Sequence, residues 1–161
     1  MYYIELTVEN LHNMKKIINF RVWHNEFNRF LSKDEWVLTL DGQLKFLVYS
    51  CGNNDNSSDI TYDVIDDNIY VIQQYIGIKD KNGNNVYEGD IIRQSIKNRS
   101  AEFQSKLLWE VKFFADISCF GIVTGNCFQT FEDIFTDDDV NWEIEVIGNI
   151  FENHDVLVYK K

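Results

Sequence analysis

Apolar residues recur at every second position along much of this chain. Ile18, Phe20 and Val22 alternate with Asn19, Arg21 and Trp23. Trp36, Leu38 and Leu40 lead into Asp41-Gly42, and Leu44, Phe46 and Val48 follow. Trp109, Val111 and Phe113 alternate with Glu110 and Lys112, while Trp142, Ile144 and Val146 alternate with Glu143 and Glu145. A strand points successive side chains to opposite faces, so each run predicts a strand with the apolar set inward and the other set wet. Asp41-Gly42 predicts a tight primed turn between two strands, because Asp-Gly accepts the positive φ that such turns need. Residues 156–159 predict an edge strand that closes a sheet. Helix signal is thin. Two short helices are expected, over residues 99–108 with Ser100 as cap and over residues 128–135 with Thr130 as cap. Residues 51–59, "CGNNDNSSD", are a loop by composition. Residues 1–13 fit neither period well. The fold class predicted is mainly β, a β-rich α+β fold of small antiparallel sheets with one or two short helices.

Length and composition narrow the picture. A chain of 161 residues with 45% hydrophobic positions can bury a core as one domain, or as two small halves sharing it, divided near residue 78. There is no proline, and Asn, Asp, Ile, Lys and Tyr are heavily used, as in proteins from AT-rich genomes. The formal charge is −11, spread as −5 over residues 1–80 and −6 over residues 81–161. Lys and Arg contacts to phosphate supply most non-specific DNA affinity, so this balance argues against nucleic acid as a direct ligand. Three cysteines without a CxxC pair fit a reducing cytosol. No stretch approaches the ~18 apolar residues of a membrane helix, and no signal-peptide pattern is present, so the expected location is cytoplasmic.

Polar residues crowd into "GIKDKNGNNVYEGDII", residues 77–92. Asp80, Asn82, Asn84, Glu88 and Asp90 look at first like cation ligands. A calcium loop wants oxygens at positions 1, 3, 5 and 12 and glycine at 6. Counted from Asp80, the glycine falls at position 4 and Ile91 stands at position 12. The better reading is a hairpin turn at Asn82-Gly83, then a second bend at Tyr87-Glu88-Gly89-Asp90.

The same stretch carries a resemblance. "QQYIGIKDKNGNNVYEGDII", residues 73–92, is similar to the signature of YopX-like proteins, a family found mainly in phages and prophages. "MKKIINFRVWHNEFNRFL", residues 14–31, resembles that family's opening strand pair, and "EVIGNIFENHDVL", residues 145–157, its closing segment. Ile76 stands where threonine is usual, and His154 replaces a common proline. Residues 1–13 precede the usual start and form an N-terminal extension to a domain over residues 14–161. The resemblance implies a small β-rich fold whose second half, from about residue 79, is barrel-like in the SH3 manner. It brings no catalytic residues with it.

Residues able to carry chemistry are scattered. His12, His24 and His154 lack a Cys or His at ligand spacing, so no metal or cofactor site is expected. Cys119 and Cys127 flank Gly121 and Gly125 and are expected as buried free thiols that approach across a hairpin. Charge is more telling. Between residues 131 and 145 lie Glu132, Asp133, Asp137, Asp138, Asp139, Glu143 and Glu145, with no base. Between residues 93 and 106 lie Arg93, Lys97, Arg99 and Lys106 against Glu102. Solvated loops explain both runs simply. The sharper reading is a non-enzymatic phage accessory protein that binds a host or phage protein with a basic surface. In its most specific form it is an acidic, nucleic-acid-mimicking inhibitor of a host defence protein. One alternative is a nucleic-acid-associated regulator using the basic loop. Another is a self-assembling protein whose acidic and basic patches meet between subunits. If residues 77–92 form turns and no cation site, calcium should leave the melting temperature unchanged in a thermal scan; a rise of several degrees would mark a site.

Overall fold

The alternating runs become strands in a computed structural model, which describes residues 18–51, 58–64, 68–96, 108–135 and 142–157. In chain order these are β1 (Phe20–His24), β2 (Arg29–Phe30), β3 (Trp36–Leu38), β4 (Leu44–Cys51), β5 (Ser58–Val64) and β6 (Tyr70–Lys79). There follow β7 (Asn85–Tyr87), β8 (Asp90–Ile96), β9 (Leu108–Phe114), β10 (Cys119–Thr124), β11 (Cys127–Thr130) and β12 (Trp142–Asn149). Two helical turns complete the set, α1 (Phe131–Phe135) and α2 (His154–Leu157). All strand pairs are antiparallel, in sheets ordered β3-β4-β5, β2-β1-β6-β7 and β11-β10-β9-β8-β12.

The sheet containing β1 is covered on both faces. Val22 packs with Leu31, Leu44 and Phe46 from the β3-β4 side. On the opposite face Trp23 stacks flat on Phe151, with ring centroids 4.8 Å apart, and meets Phe30 edge-on. Arg21 and Trp23 therefore occupy a covered face where alternation predicts a wet one, Trp23 buried and Arg21 half-buried. His24 is buried too, its ring stacked on Phe27 and its Nδ1 accepting from the Phe27 N–H. Ile18, expected inward, is exposed just ahead of the strand.

β6 changes allegiance along its length. Its first part pairs with β1, and Tyr70 and Ile72 pack toward Leu44 and Phe46. Between Tyr75 and Lys79 its register against β7 shifts, and Gly77 takes φ of 95°. A bulge of this kind twists a strand and re-aims its side chains. On either side of Gly77, Ile76 and Ile78 enter a second core with Val86, Ile92, Trp109, Val111, Ile122, Ile134 and Ile144.

That second core fills the five-stranded sheet, which curls into a half-barrel. Gln94 of β8 donates to Gln129 of β11 at 3.4 Å although two strands separate them. In a flat sheet their backbones would lie about 14 Å apart, so the bond requires the curl. α1 then lowers Ile134 into the barrel core. Thr130 caps this turn of helix: its Oγ1 accepts from the Asp133 N–H, and Asp133 accepts in return from the Thr130 N–H.

Several local expectations change. The β3-β4 connection closes with a Thr39 N–H to Gln43 C=O bond and a Gly42 N–H to Thr39 C=O bond, with positive φ at Gly42 but not at Asp41. It is a three-residue loop, a type I turn followed by a left-handed glycine, and Leu40 is exposed in it. Phe113 is exposed at the far end of β9. Residues 156 and 157 belong to α2 where an edge strand was expected, and residues 158 and 159 of that expectation lie outside the described part. Residues 51, 58 and 59 belong to strands, and residues 52–57 lie outside the described part. Residues 1–13 lie outside it too, as do residues 99–107 of the expected first helix, while Leu108 opens β9.

One charge joins the two cores. The Arg21 guanidinium lies between the rings of Phe30 and Tyr87, 4.6 and 4.8 Å from their centroids. Its Nε donates to Gln73 Oε1 at 2.7 Å, and its Nη2 meets Asp90 Oδ1 at 2.6 Å and the Glu88 carbonyl at 3.3 Å. Asp90 is fully buried, and its other oxygen accepts from the Tyr87 N–H at 2.8 Å. Breaking a buried pair strands its partner, so Arg21→Met or Asp90→Asn should each lower unfolding free energy by about 3 kcal/mol. Urea titrations check this, and losses below about 0.5 kcal/mol, the level of ordinary surface substitutions, would show that the pair does not join the halves.

Candidate functional site

The turn after β6 repeats the three-residue design of the β3-β4 loop. The Asp80 N–H donates to Asn84 C=O, the Gly83 N–H donates to Asp80 C=O, and Gly83 alone in the loop takes positive φ. The carboxylate of Asp80 is spent on this geometry. Oδ1 accepts from the N–H groups of Asn82 and Asn84 at 2.9 and 2.8 Å. Oδ2 accepts from the Val146 N–H at 3.1 Å, and the Lys81 N–H donates to Ile144 C=O at 2.9 Å. The turn thus covers the outer edge of β12, whose backbone groups would otherwise have no strand beside them. Burial alone would push the Asp80 carboxyl up, but the bonds from Asn84, Val146 and Asn82 outweigh it and hold it below its ordinary range.

Beside this turn lies a pocket of about 160 Å³. Lys79, Asp80 and Lys81 line one side, Trp142, Glu143 and Ile144 another, and Phe135 a third. Phe135 is exposed and Trp142 half-buried, so two rings line a cleft rimmed by both signs of charge.

The acidic run divides. Glu132 and Asp133 lie exposed on α1. Glu143 and Glu145 are half-buried on β12. Glu145 is matched within the chain: its Oε2 lies 2.9 Å from Lys81 Nζ and 3.8 Å from Arg93 Nη1. Lys81 above all holds its carboxyl below the usual range. The Thr130 hydroxyl does the same for Asp133. Asp137, Asp138 and Asp139 lie outside the described residues, as do Lys97, Arg99 and Lys106. Arg93 sits in strand β8, directly across from Glu145.

Cys119 and Cys127 share the β10-β11 hairpin without facing each other. Cys127 opposes Thr124 and Cys119 opposes Phe114, and both thiols are free, one half-buried and one exposed. Sequence reasoning read Trp142 as an inward strand residue and placed residue 135 at the end of a short helix, and it marked neither as part of a site, although Phe135 and Trp142 bracket the triple aspartate.

Asp80 gives a pH test. Its folded pKa lies below the unfolded value of about 3.9, so its stabilisation is complete above that value and disappears as pH falls through the lower folded one. Asp80→Asn should cost roughly 1–3 kcal/mol at neutral pH, because an amide donor then faces backbone donors. It should also flatten the acid limb of stability below about pH 4. An unchanged limb would mean that other carboxylates carry it.

The sequence profile described as YopX protein matches residues 19–158. No curated protein matches the chain. The crystal structure of protein EF1440 from Enterococcus faecalis is similar, with 26% identity, TM-score 0.52, and coverage of 88% of this chain and 98% of that one. The crystal structure of protein yopX from Bacillus subtilis has the same TM-score of 0.52 at 19% identity, covering 85% of this chain and 95% of that one, and shows likeness of fold. With the profile spanning all but the ends, the chain belongs to the YopX family.

Proposed function

We propose that this is a non-enzymatic binding protein whose contact face is formed by α1 and the start of β12. The observation that carries the reading is the pocket with the Phe135 and Trp142 rings in a mixed-charge rim. Aromatic side chains in a cleft surrounded by polar groups are the usual anchors of protein recognition. The buried polar groups that chemistry would require have structural duties instead: Asp80 holds backbone N–H groups, Asp90 holds Arg21, and His24 packs on Phe27.

The favoured partner is a protein with a basic surface. Glu132 and Asp133 stand within a helical turn of Phe135, and Glu143 lines the pocket itself. In a chain of charge −11 these acids would steer a basic partner, while the rings would hold it. The finer form, an anti-defence inhibitor of phage or prophage origin that imitates nucleic-acid phosphate in the host cytoplasm, belongs to the same reading. It is supported by the family and by the negative charge of both halves. Nucleic acid as the ligand is less favoured, because Arg93 already faces Glu145. That contact also uses within one chain an acid–base pairing proposed for subunit contacts. No helix among the described residues is long and apolar enough to cross a membrane.

Affinity capture from bacterial lysate, followed by association kinetics on the captured protein, tests the face. Phe135→Ala should speed dissociation at least ~10-fold, the effect of an anchor residue. Glu132→Gln with Glu143→Gln should slow association at low salt and leave dissociation nearly unchanged. Wild-type kinetics in both variants would remove the face from the reading, and DNA retention with a steep salt slope would favour the regulator instead.

A further inference from the structure

The half-barrel ends in an edge whose character differs from the rest of the chain. β11 is the last strand in the sheet order, and residues 127–129 are exposed. Residues 119–130, "CFGIVTGNCFQT", carry no charge in a chain of −11. Free edges are normally guarded by lysine, proline, a bulge or a covering segment. β11 has no lysine, proline or bulge of its own. Its large apolar side chain, Phe128, is 59% exposed. Phe128 lies 5.4 Å from Phe114 on the outer face. Gly121 of β10 lies beneath them, and a Cβ there would press on the Phe114 ring and collide with the Gln129 carbonyl. Removing that side chain lets the two rings close over the sheet as one apolar surface.

We infer that β11 pairs antiparallel with β11 of a second copy, joining two half-barrels through one continuous sheet. Charge selects this occupant. Beyond about 8 Å, charges are screened at physiological salt, so two chains of −11 repel mainly through the groups at their contact. The β11 edge brings none there, whereas the acidic face of α1 and β12 would bring like charges together. Direction follows from the same argument. Antiparallel pairing with the two Phe128 residues opposed sets Thr130 and Phe131 against the Asn126-Gly125 turn of the copy, so the acids that follow, Glu132 and Asp133, pass an uncharged hairpin end; parallel pairing would set acid on acid. Register follows from the pleat. Phe128 points outward in both copies, so the outer faces stay continuous when the two Phe128 residues lie opposite each other, and a one-residue slip would turn one ring into the other's barrel side. This contact is separate from the face assigned to a basic partner.

Analytical ultracentrifugation at about 100-fold above a micromolar Kd tests it. The wild-type chain should sediment at twice its 19.1 kDa mass, and Phe128→Lys should sediment as a monomer with an unchanged circular dichroism spectrum and melting curve. The register has its own test. In the Gln129→Cys variant, mild oxidation should link the introduced thiol to Cys127 of the copy, giving a disulfide dimer that is lost when Cys127→Ser is added. A monomeric wild type overturns the proposal, as does a Phe128→Lys variant that stays dimeric. A cross-link that survives Cys127→Ser overturns the register. Binding of a basic partner should be unaffected by Phe128→Lys, so failure here and failure of the partner reading remain distinguishable.

Discussion

Arg21 carries the constraint on which the rest of the architecture depends. Its guanidinium is shared by groups from both cores: Phe30 of β2 and Gln73 of β6 on one side, Tyr87, Glu88 and Asp90 on the other. Taking a cation out of water is expensive unless its donors are met, and a planar guanidinium can meet them edge-on while stacking face-on. Lysine could supply the charge but neither the fork nor the flat face. Asp90 shows the strain of the arrangement. Burial pushes its carboxyl above the ordinary range, against the pull of Arg21 and of the Tyr87 N–H. The pair is thus a poor source of raw stability and a strong specifier of how the two halves fit.

The bend beside it shows why particular residues are needed there. The Gly89 N–H donates to Val111 C=O, and Gly89 C=O accepts from the Ile150 N–H. Gly89 has φ of 75°, and a Cβ there would collide with the Gln73 amide that holds Arg21. Asn149 accepts from the Phe151 and Glu152 N–H groups, which turns the chain after β12 and delivers Phe151 onto Trp23. The three stretches that resemble the family, residues 14–31, 73–92 and 145–157, are the three that meet at this joint. A strand face can exchange one apolar residue for another of similar volume. A joint of oriented donors, a left-handed glycine and stacked rings cannot, so a family signature collects there.

Sequence reasoning succeeded where structure is local. Alternation located β1, β3, β4, β9 and β12, and Thr130 was visible as a cap because N-capping needs only neighbours in the chain. It failed where long-range packing decides. Arg21 and Trp23 read as a wet face because a period of two cannot reveal that the sheet is covered twice. Phe113 read as core because alternation does not say where along a strand the core ends. β5, "SDITYDV", was hidden by its acids and by the loop composition just before it. The pocket was invisible because Lys79 and Phe135 are brought together only by the turn docking on β12. Turn type was misjudged for a smaller reason: Asp-Gly and Asn-Gly suit primed turns, yet they also fit a type I turn closed by a left-handed glycine, and strand register chooses between them.

The charge of −11 is unevenly used, and the unevenness is informative. Some acids have been drawn into the structure: Asp90 under Arg21, Asp80 over the β12 edge, and Glu145 between Lys81 and Arg93. They add to the formal charge, but much of their field is cancelled locally. Glu132 and Asp133 stay on the exposed surface of α1. Charge at the surface is the charge a partner meets first, within about a Debye length of contact. The uncharged β10-β11 hairpin is the complement of this pattern. A strongly acidic chain remains soluble through self-repulsion, and that repulsion confines close contact between copies to a surface where charge is missing. The acidic face proposed for a basic partner and the neutral edge proposed for a second copy are thus different surfaces of one small half-barrel, and the charge pattern that suits one disfavours the other's occupant.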